Sequence, residues 1–109
     1  MKNLRKEIVI KLQVEGIHKW GTCNLPEVSF LAYPHRHIFH ITMTKEVEHN
    51  DRDIEIIMFK RNVLEYLGKQ PVMFDNKSCE SIAEELLLEF DATSVAVLED
   101  NENGAIVSI

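Results

Sequence analysis

Residues 7–15 alternate between apolar and polar side chains, and this pattern constrains the fold more than any other feature of the chain. A period of two is that of a β-strand whose side chains point alternately into a core and toward solvent. Gly16, the next residue, indicates the end of the strand or a bulge. The chain therefore needs a sheet with one buried face, and the side chains expected on that face are Ile8, Ile10, Leu12 and Val14.

A second and longer strand is predicted over residues 35–47, which are rich in β-branched and aromatic side chains. The segment before it, residues 21–34, contains two prolines and a glycine and cannot form one regular element. Within that segment, residues 28–33 suit a short turn or a short strand. The two long strands should therefore be antiparallel neighbours joined by an elaborated connection.

Two helices are predicted after the second strand. Residues 49–53 form a polar break whose carboxylates suit the start of a helix, because the helix dipole favours negative charge there. Apolar side chains at helical spacing predict that helix over residues 54–67, with Gly68 as its stop. A second helix should begin after Ser78, its N-cap, and run to about Glu89.

The last two strands are predicted over residues 94–99 and 105–109, on either side of an acidic loop. The loop ends in Asn-Gly, which favours a hairpin, and its acidic residues 100–102 are expected to form a solvated tip. The complete element order is β-β-α-α-β-β. It predicts an α+β fold in which two helices pack on one face of an antiparallel sheet.

Length and charge exclude several classes of function. With 109 residues, of which 45% are hydrophobic, the chain suits a single domain over residues 1–109. A net charge of −6 with scattered lysines and arginines predicts no nucleic-acid partner. A polar N-terminus, with no apolar run of about 18 residues, predicts a soluble, cytoplasmic protein without a membrane segment. The two cysteines, Cys23 and Cys79, are expected to be reduced thiols.

Three histidines form the candidate metal site. His35 and His37 lie two residues apart on the second strand, so their side chains point to the same face. His18 closes the first strand, from which it can supply a third imidazole. Three neutral imidazoles with an open fourth position are typical of a catalytic zinc ion. The spacing alone also fits a pair of surface histidines that bind no metal.

The common order of these motifs resembles the tunnelling fold of the 6-pyruvoyl-tetrahydropterin synthase and 6-carboxy-tetrahydropterin synthase family. Residues 35–39 (His-Arg-His-Ile-Phe) stand where the family has His-Gly-His, and residues 12–20 are similar to its first-strand segment. Residues 54–60 are similar to the family's Val-Asp-Phe-x-x-Leu-Lys helix opening, and residues 78–83 to its Thr-x-Glu-x-Leu-Ala opening. Residues 95–99 match the late strand that ends in a glutamate.

The resemblance implies the chemistry of the site. It implies a zinc ion held by His18, His35 and His37, and a pterin- or purine-like ring anchored by two hydrogen bonds to the Glu99 carboxylate. A zinc-dependent lyase is the activity it suggests. It also implies a homo-oligomer, because members of the family join their sheets edge to edge and build sites at subunit boundaries.

The chain departs from the family pattern at two catalytic positions, although the three histidines expected to bind zinc are present. Leu31 stands where the family's usual synthase carries a catalytic cysteine. The remaining candidates for a catalytic base are Glu27 and Cys23, and residues 68–77 hold Asp75 without the histidine that would partner it. Three hypotheses stay open: a zinc-dependent lyase, a protein that captures a ring ligand without turnover, and a structural subunit whose histidines bind nothing.

Overall fold

The computed structural model describes residues 2–109, which form five strands, two α-helices and a 3-10 helix. The strands are β1 (Lys6–His18), β2 (His35–Val47), β3 (Val72–Asp75), β4 (Ser94–Glu99) and β5 (Asn103–Ser108). The α-helices are α1 (Ile56–Leu67) and α2 (Cys79–Phe90), and the 3-10 helix spans Pro26–Ala32 in the long connection. The predicted α+β class is confirmed, while the tunnelling fold stays a prediction.

Strands β1 and β2 form an antiparallel pair along their whole length, from Lys6 opposite Val47 to His18 opposite His35. The strand order is β3-β1-β2-β4-β5, and β4 and β5 extend the sheet beyond β2 as antiparallel neighbours. A slip of one residue in this register would turn every buried side chain toward solvent, so the alternating pattern fixes the pairing. The register places His18 directly across from His35.

The buried side chains of the long strands lie on one face of the sheet. In β1 the predicted residues Ile10, Leu12 and Val14 are buried, and Ile8 packs at the border of the core. The same buried cluster includes residues of both α-helices: Phe59, Val63, Ile82, Ala83, Leu86 and Leu87. Both α-helices therefore cover the same face, and burial of this apolar surface is the main force that holds them to the sheet.

The sheet is mixed rather than antiparallel, because the segment between the two α-helices adds a strand that the sequence pattern did not predict. Strand β3 runs parallel to β1 and pairs Val72 with Gly16 and Met73 with Ile17. Its alternate residues Val72 and Phe74 are buried. A strand of four residues is too short for its alternation to stand out in the sequence. The element order thus becomes β-β-α-β-α-β-β, and the predicted purely antiparallel sheet is wrong.

Gly16 lies inside β1 and does not end it. A Cβ atom at this position would come within 2.6 Å of the Phe74 ring and 2.8 Å of the Phe39 ring. Glycine is therefore required for the two rings to pack against the strand. Because the strand continues through Gly16, β1 carries His18 to the same end of the sheet as the start of β2.

The start of α1 differs from the predicted one, while the start of α2 agrees with it. Helix α1 begins at Ile56, because Glu55 is its N-cap and accepts hydrogen bonds from the backbone N–H groups of Ile57 and Met58. These bonds lower the pKa of Glu55. Ser78 caps α2 as predicted.

The loop of the β4–β5 hairpin is shorter than the predicted loop over residues 100–104, and the Asn-Gly pair lies in β5 and not in the turn. Asp100 and Asn101 have positive φ angles of 53° and 60°, and the backbone N–H of Glu102 donates to the Glu99 carbonyl oxygen at 2.9 Å. Glu99 pairs with Asn103, so the loop has three residues, 100–102, and β5 begins two residues earlier than predicted, at Asn103. The turn holds Asp100 next to the end of β4.

Both edges of the sheet are partly open. Strand β3 covers β1 only near residues 16–18, so within residues 2–109 the rest of that edge has no strand neighbour. The outer side of β5 has none either in this part of the chain. Open edges favour strand pairing between subunits, and the homo-oligomer stays a prediction. None of the helices formed by residues 2–109 has both the length and the apolar character needed to cross a membrane.

Candidate metal centre

His18, His35 and His37 converge at one end of the sheet. The ring centroids of His18 and His35 lie 4.5 Å apart across the β1–β2 pair, and the His37 ring lies 5.1 Å from the His35 ring and 5.5 Å from the His18 ring. Glu99, the last residue of β4, pairs with Phe39 and brings a carboxylate to the same place. One potential ligand atom from each of the three histidines and Glu99 lies within 4.8 Å of the others. These four residues can therefore hold a metal ion.

Each of the three imidazoles is oriented by a hydrogen bond between its Nδ1 atom and an oxygen acceptor. The acceptors are the Lys77 carbonyl (2.9 Å from His18), the Tyr33 carbonyl (2.8 Å from His35) and the Asp100 carboxylate (2.7 Å from His37). Carbonyl and carboxylate oxygens only accept, so the hydrogen must be on Nδ1. In a neutral imidazole the Nε2 atom is then left with a lone pair, which is the state that binds a metal.

The Nε2 atom of His18 is the feature of the cluster that best suits a bound cation. His18 is only 8% exposed, and its Nε2 atom is buried without a hydrogen-bond partner within residues 2–109. Glu99 Oε2 lies 2.7 Å away, which is an ion-pair distance, but the direction is not that of a hydrogen bond. A hydrogen bond requires the hydrogen to point at the acceptor oxygen, so a short distance alone does not make this contact a hydrogen bond. A buried lone pair that faces a carboxylate oxygen is repelled, and a proton or a metal cation between the two atoms removes this repulsion.

Aromatic rings enclose the buried side of the histidine cluster. Phe39 is completely buried, and its ring centroid lies 5.1 Å from that of His18 and 5.8 Å from that of His37. Phe74 packs against Phe39 with a centroid distance of 4.9 Å. These rings exclude water from one side of the cluster and restrict the imidazoles. Electrostatic attraction to a bound cation is therefore stronger than it would be in open solvent.

An open pocket of about 470 Å³ adjoins the cluster. His18, His35 and Glu99 form one side of it, and Trp20 and Leu31 supply apolar surface. The polar part of the wall comes from Lys19, Asn76, Lys77, Ser78, Glu80 and Asn103. Mixed apolar and polar walls around a space of roughly 300–1,000 Å³ are typical of small-molecule sites.

The two candidate bases, Glu27 and Cys23, do not belong to the wall of this pocket. Glu27 is exposed on the 3-10 helix. The Cys23 thiol points into its own loop, where its Sγ atom lies 3.7 Å from the Val28 carbonyl oxygen. Leu31, by contrast, lies in the wall. The catalytic roles of Glu27 and Cys23 stay predictions.

Asp100 belongs to the site, although the sequence pattern placed it in a solvated tip. Its carboxylate accepts a hydrogen bond from His37 and another from the backbone N–H of Ile38, at 3.0 Å. The bond from His37, followed by that from Ile38, lowers the pKa of Asp100. Asp100 directly follows Glu99, which ends a strand that pairs with the histidine-bearing strand. This position is the sequence signal that could have revealed its role.

Cys79 also belongs to the site, as a buried thiol in the pocket wall at the start of α2. Burial, followed by the negative charges of Glu99 and Glu80, raises the pKa of the Cys79 thiol to about 12. The thiol therefore stays protonated at neutral pH and is a poor nucleophile. The sequence held no signal for its location, because a single cysteine on the apolar face of a helix resembles a small core residue.

Replacing Asp100 with asparagine is expected to weaken metal binding about 10- to 100-fold. The amide removes the charge that makes His37 a stronger base, while asparagine tolerates the left-handed backbone at this turn position. Competition with a chromogenic chelator measures the affinity. Glu102→Gln, in the same turn, is the matched control and should leave the affinity unchanged. Equal affinities for Asp100→Asn and the parent chain would contradict the orienting role of Asp100.

Comparison with known proteins does not assign the chain to a family. No family model matches the chain, and no curated protein matches it. What the site can do therefore has to be inferred from its own residues. The site consists of three oriented imidazoles and a carboxylate directed at them, and an open pocket lies beside it.

Proposed function

We propose that this chain binds one zinc ion through His18, His35 and His37, and that the adjoining pocket holds a flat, pterin- or purine-like ring. The observation that carries the proposal is the orientation of the three imidazoles. All three are held by acceptors at Nδ1, so that their Nε2 atoms are free to bind a metal. Imidazole is a preferred ligand of zinc, and three such ligands are a common zinc set.

The pocket supports the second part of the proposal. Trp20 supplies an aromatic face on which a ring can stack, and Leu31 adds apolar surface. Asn76 and Ser78 offer polar groups that can meet the ring's edge. Glu99 stands between the metal cluster and the pocket, so its carboxylate can serve the ring, as the resemblance implies, or the metal.

Two activities are compatible with such a site: a lyase reaction, and capture of the ring ligand without turnover. Bound zinc would supply Lewis-acid activation of a substrate oxygen. A lyase also needs a proton-transfer group within hydrogen-bond reach of the ligand. Leu31 stands in the pocket wall where the family's cysteine is expected, and Cys79, which also lines the wall, is held protonated by burial. These observations favour capture.

Ligand binding by the zinc-loaded chain tests the ring pocket and the activity together. Dihydroneopterin triphosphate and a panel of purine nucleotides are incubated with the protein, with binding measured by calorimetry and products by mass spectrometry. Trp20→Ala should weaken binding roughly 5- to 150-fold, because stacking on an aromatic side chain contributes about 1–3 kcal/mol. Phe30→Ala, an exposed aromatic outside the pocket wall, is the matched control.

Each result of that experiment has a separate meaning. Binding without new products supports capture, and new products support the lyase. If the zinc-loaded chain binds none of these compounds, the ring pocket is wrong even though the metal site stands. Equal weakening by Trp20→Ala and Phe30→Ala would also contradict the stacking role of Trp20.

A further inference from the structure

We infer that Glu99 is the fourth protein ligand of the metal, so that the protein itself completes the coordination of the ion. This inference rests on the proposed zinc site and assigns Glu99 to the metal instead of the ring. The resulting site has three imidazoles and one carboxylate. It leaves no open position of the kind that a catalytic zinc ion keeps for water or substrate.

The position of one carboxylate oxygen carries the inference. Glu99 Oε2 lies 2.7 Å from His18 Nε2 and 3.5 Å from His37 Nε2. Ligand atoms around a tetrahedral zinc ion are separated by about 3.3 Å, given metal–ligand bonds of about 2.0–2.1 Å. The observed separations lie on either side of that value. A small adjustment of side chains would therefore place all three atoms around one ion.

The hydrogen bonds at Nδ1 argue against the main alternative, a hydrogen bond from a neutral histidine to the Glu99 carboxylate. The Nδ1 atoms of His18 and His37 already donate to Lys77 and Asp100, so in the neutral rings both Nε2 atoms present lone pairs to the Glu99 oxygen. The His18–Glu99 contact also lacks hydrogen-bond geometry. A divalent cation between these atoms turns mutual repulsion into attraction at each of them.

The position of Glu99 also disfavours a role as ring anchor. An anchor that accepts two hydrogen bonds from a ring needs both carboxylate oxygens directed into the pocket. Oε2 of Glu99 is directed at the histidines instead. At Leu31 the pocket wall has an apolar side chain that cannot transfer a proton, which agrees with a metal that has no open coordination position for a substrate. Both features describe a metal that organises the pocket and does not activate a substrate.

Cobalt substitution tests the inference without any assay of activity. Co²⁺ replaces the zinc in the parent chain, and azide, which occupies open positions on such ions, is titrated while the visible absorption spectrum is recorded. The parent spectrum should not change with azide. Glu99→Ala should still bind Co²⁺, but more weakly, and its spectrum should respond to azide. Glu80→Ala removes a different carboxylate from the same pocket wall and should behave as the parent does.

The outcomes separate this inference from the proposed function. A cobalt-loaded parent chain whose spectrum responds to azide as strongly as Glu99→Ala overturns the assignment of Glu99 and leaves the three-histidine site intact. A parent chain that binds neither zinc nor cobalt overturns the proposed function itself. The parent titration needs no substitution, so it decides the question even if Glu99→Ala does not fold. Glu99→Gln, which keeps the shape of the side chain, then serves as the second variant.

Discussion

A chain in which His35 and His37 are both replaced by alanine is expected to contain no zinc. These two residues supply two of the three converging imidazoles, and the remaining His18 and Glu99 cannot complete a tight zinc site on their own. Zinc also stabilises whatever folded state binds it, by about 4 kcal/mol when the free ion exceeds its dissociation constant 1,000-fold. Removal of zinc with EDTA should therefore lower the melting temperature of the parent chain and leave that of the double variant unchanged.

His40 provides the matched control for this experiment. It lies on β2, three residues after His37, but its side chain points to the opposite face of the sheet from that of His37. His40→Ala should retain the zinc content and the EDTA sensitivity of the parent. Zinc retained by the double variant would show that the metal binds elsewhere. Loss of zinc from His40→Ala would show that the effect is not specific to the cluster.

Phe39→Ala is expected to lower the free energy of unfolding by about 3–5 kcal/mol, the usual cost of removing a large buried ring. Phe39 has 0% exposure, and its ring packs against Phe74, His18 and His37. The loss is a large part of the roughly 5–15 kcal/mol that stabilises a typical domain. Because the same ring restricts two imidazoles, metal affinity should fall as well.

Urea unfolding of the metal-free chain measures the change in the free energy of unfolding without a contribution from zinc. Phe30→Ala is the control, since Phe30 is 65% exposed and its loss should change the unfolding free energy by less than about 0.5 kcal/mol. A loss below about 1 kcal/mol for Phe39→Ala would mean that the ring is not packed as the structure describes. An unchanged metal affinity in a folded Phe39→Ala chain would mean that the ring does not support the site.

Patterns with a strong period made much of this fold predictable. Alternation over residues 7–15 gave the buried face of β1, and a run of β-branched and aromatic residues gave β2 with its full length. Because side chains two apart on a strand share a face, the convergence of His35 and His37 was also predictable. Once the two strands pair, His18 falls opposite His35.

The parts that escaped prediction depend on short or distant contacts. Strand β3 has only four residues, and its place in the sheet depends on packing of Phe74 beside Gly16, which no local pattern encodes. Asp100 reaches His37 only because two residues with positive φ tighten the hairpin turn. Cys79 enters the pocket wall through the way α2 packs on the sheet. Such contacts join residues far apart in the chain, and sequence periodicity does not report them.

Metal analysis of the purified parent chain tests the central claim most directly. The chain is expressed with zinc in the medium, dialysed against a weak chelator, and analysed by mass spectrometry for metals, while circular dichroism confirms that it is folded. About one zinc ion per chain is expected, as a set of ligands around one ion requires. A folded chain that contains no zinc, and takes up none when zinc is supplied, would contradict the claim that His18, His35 and His37 form a metal site.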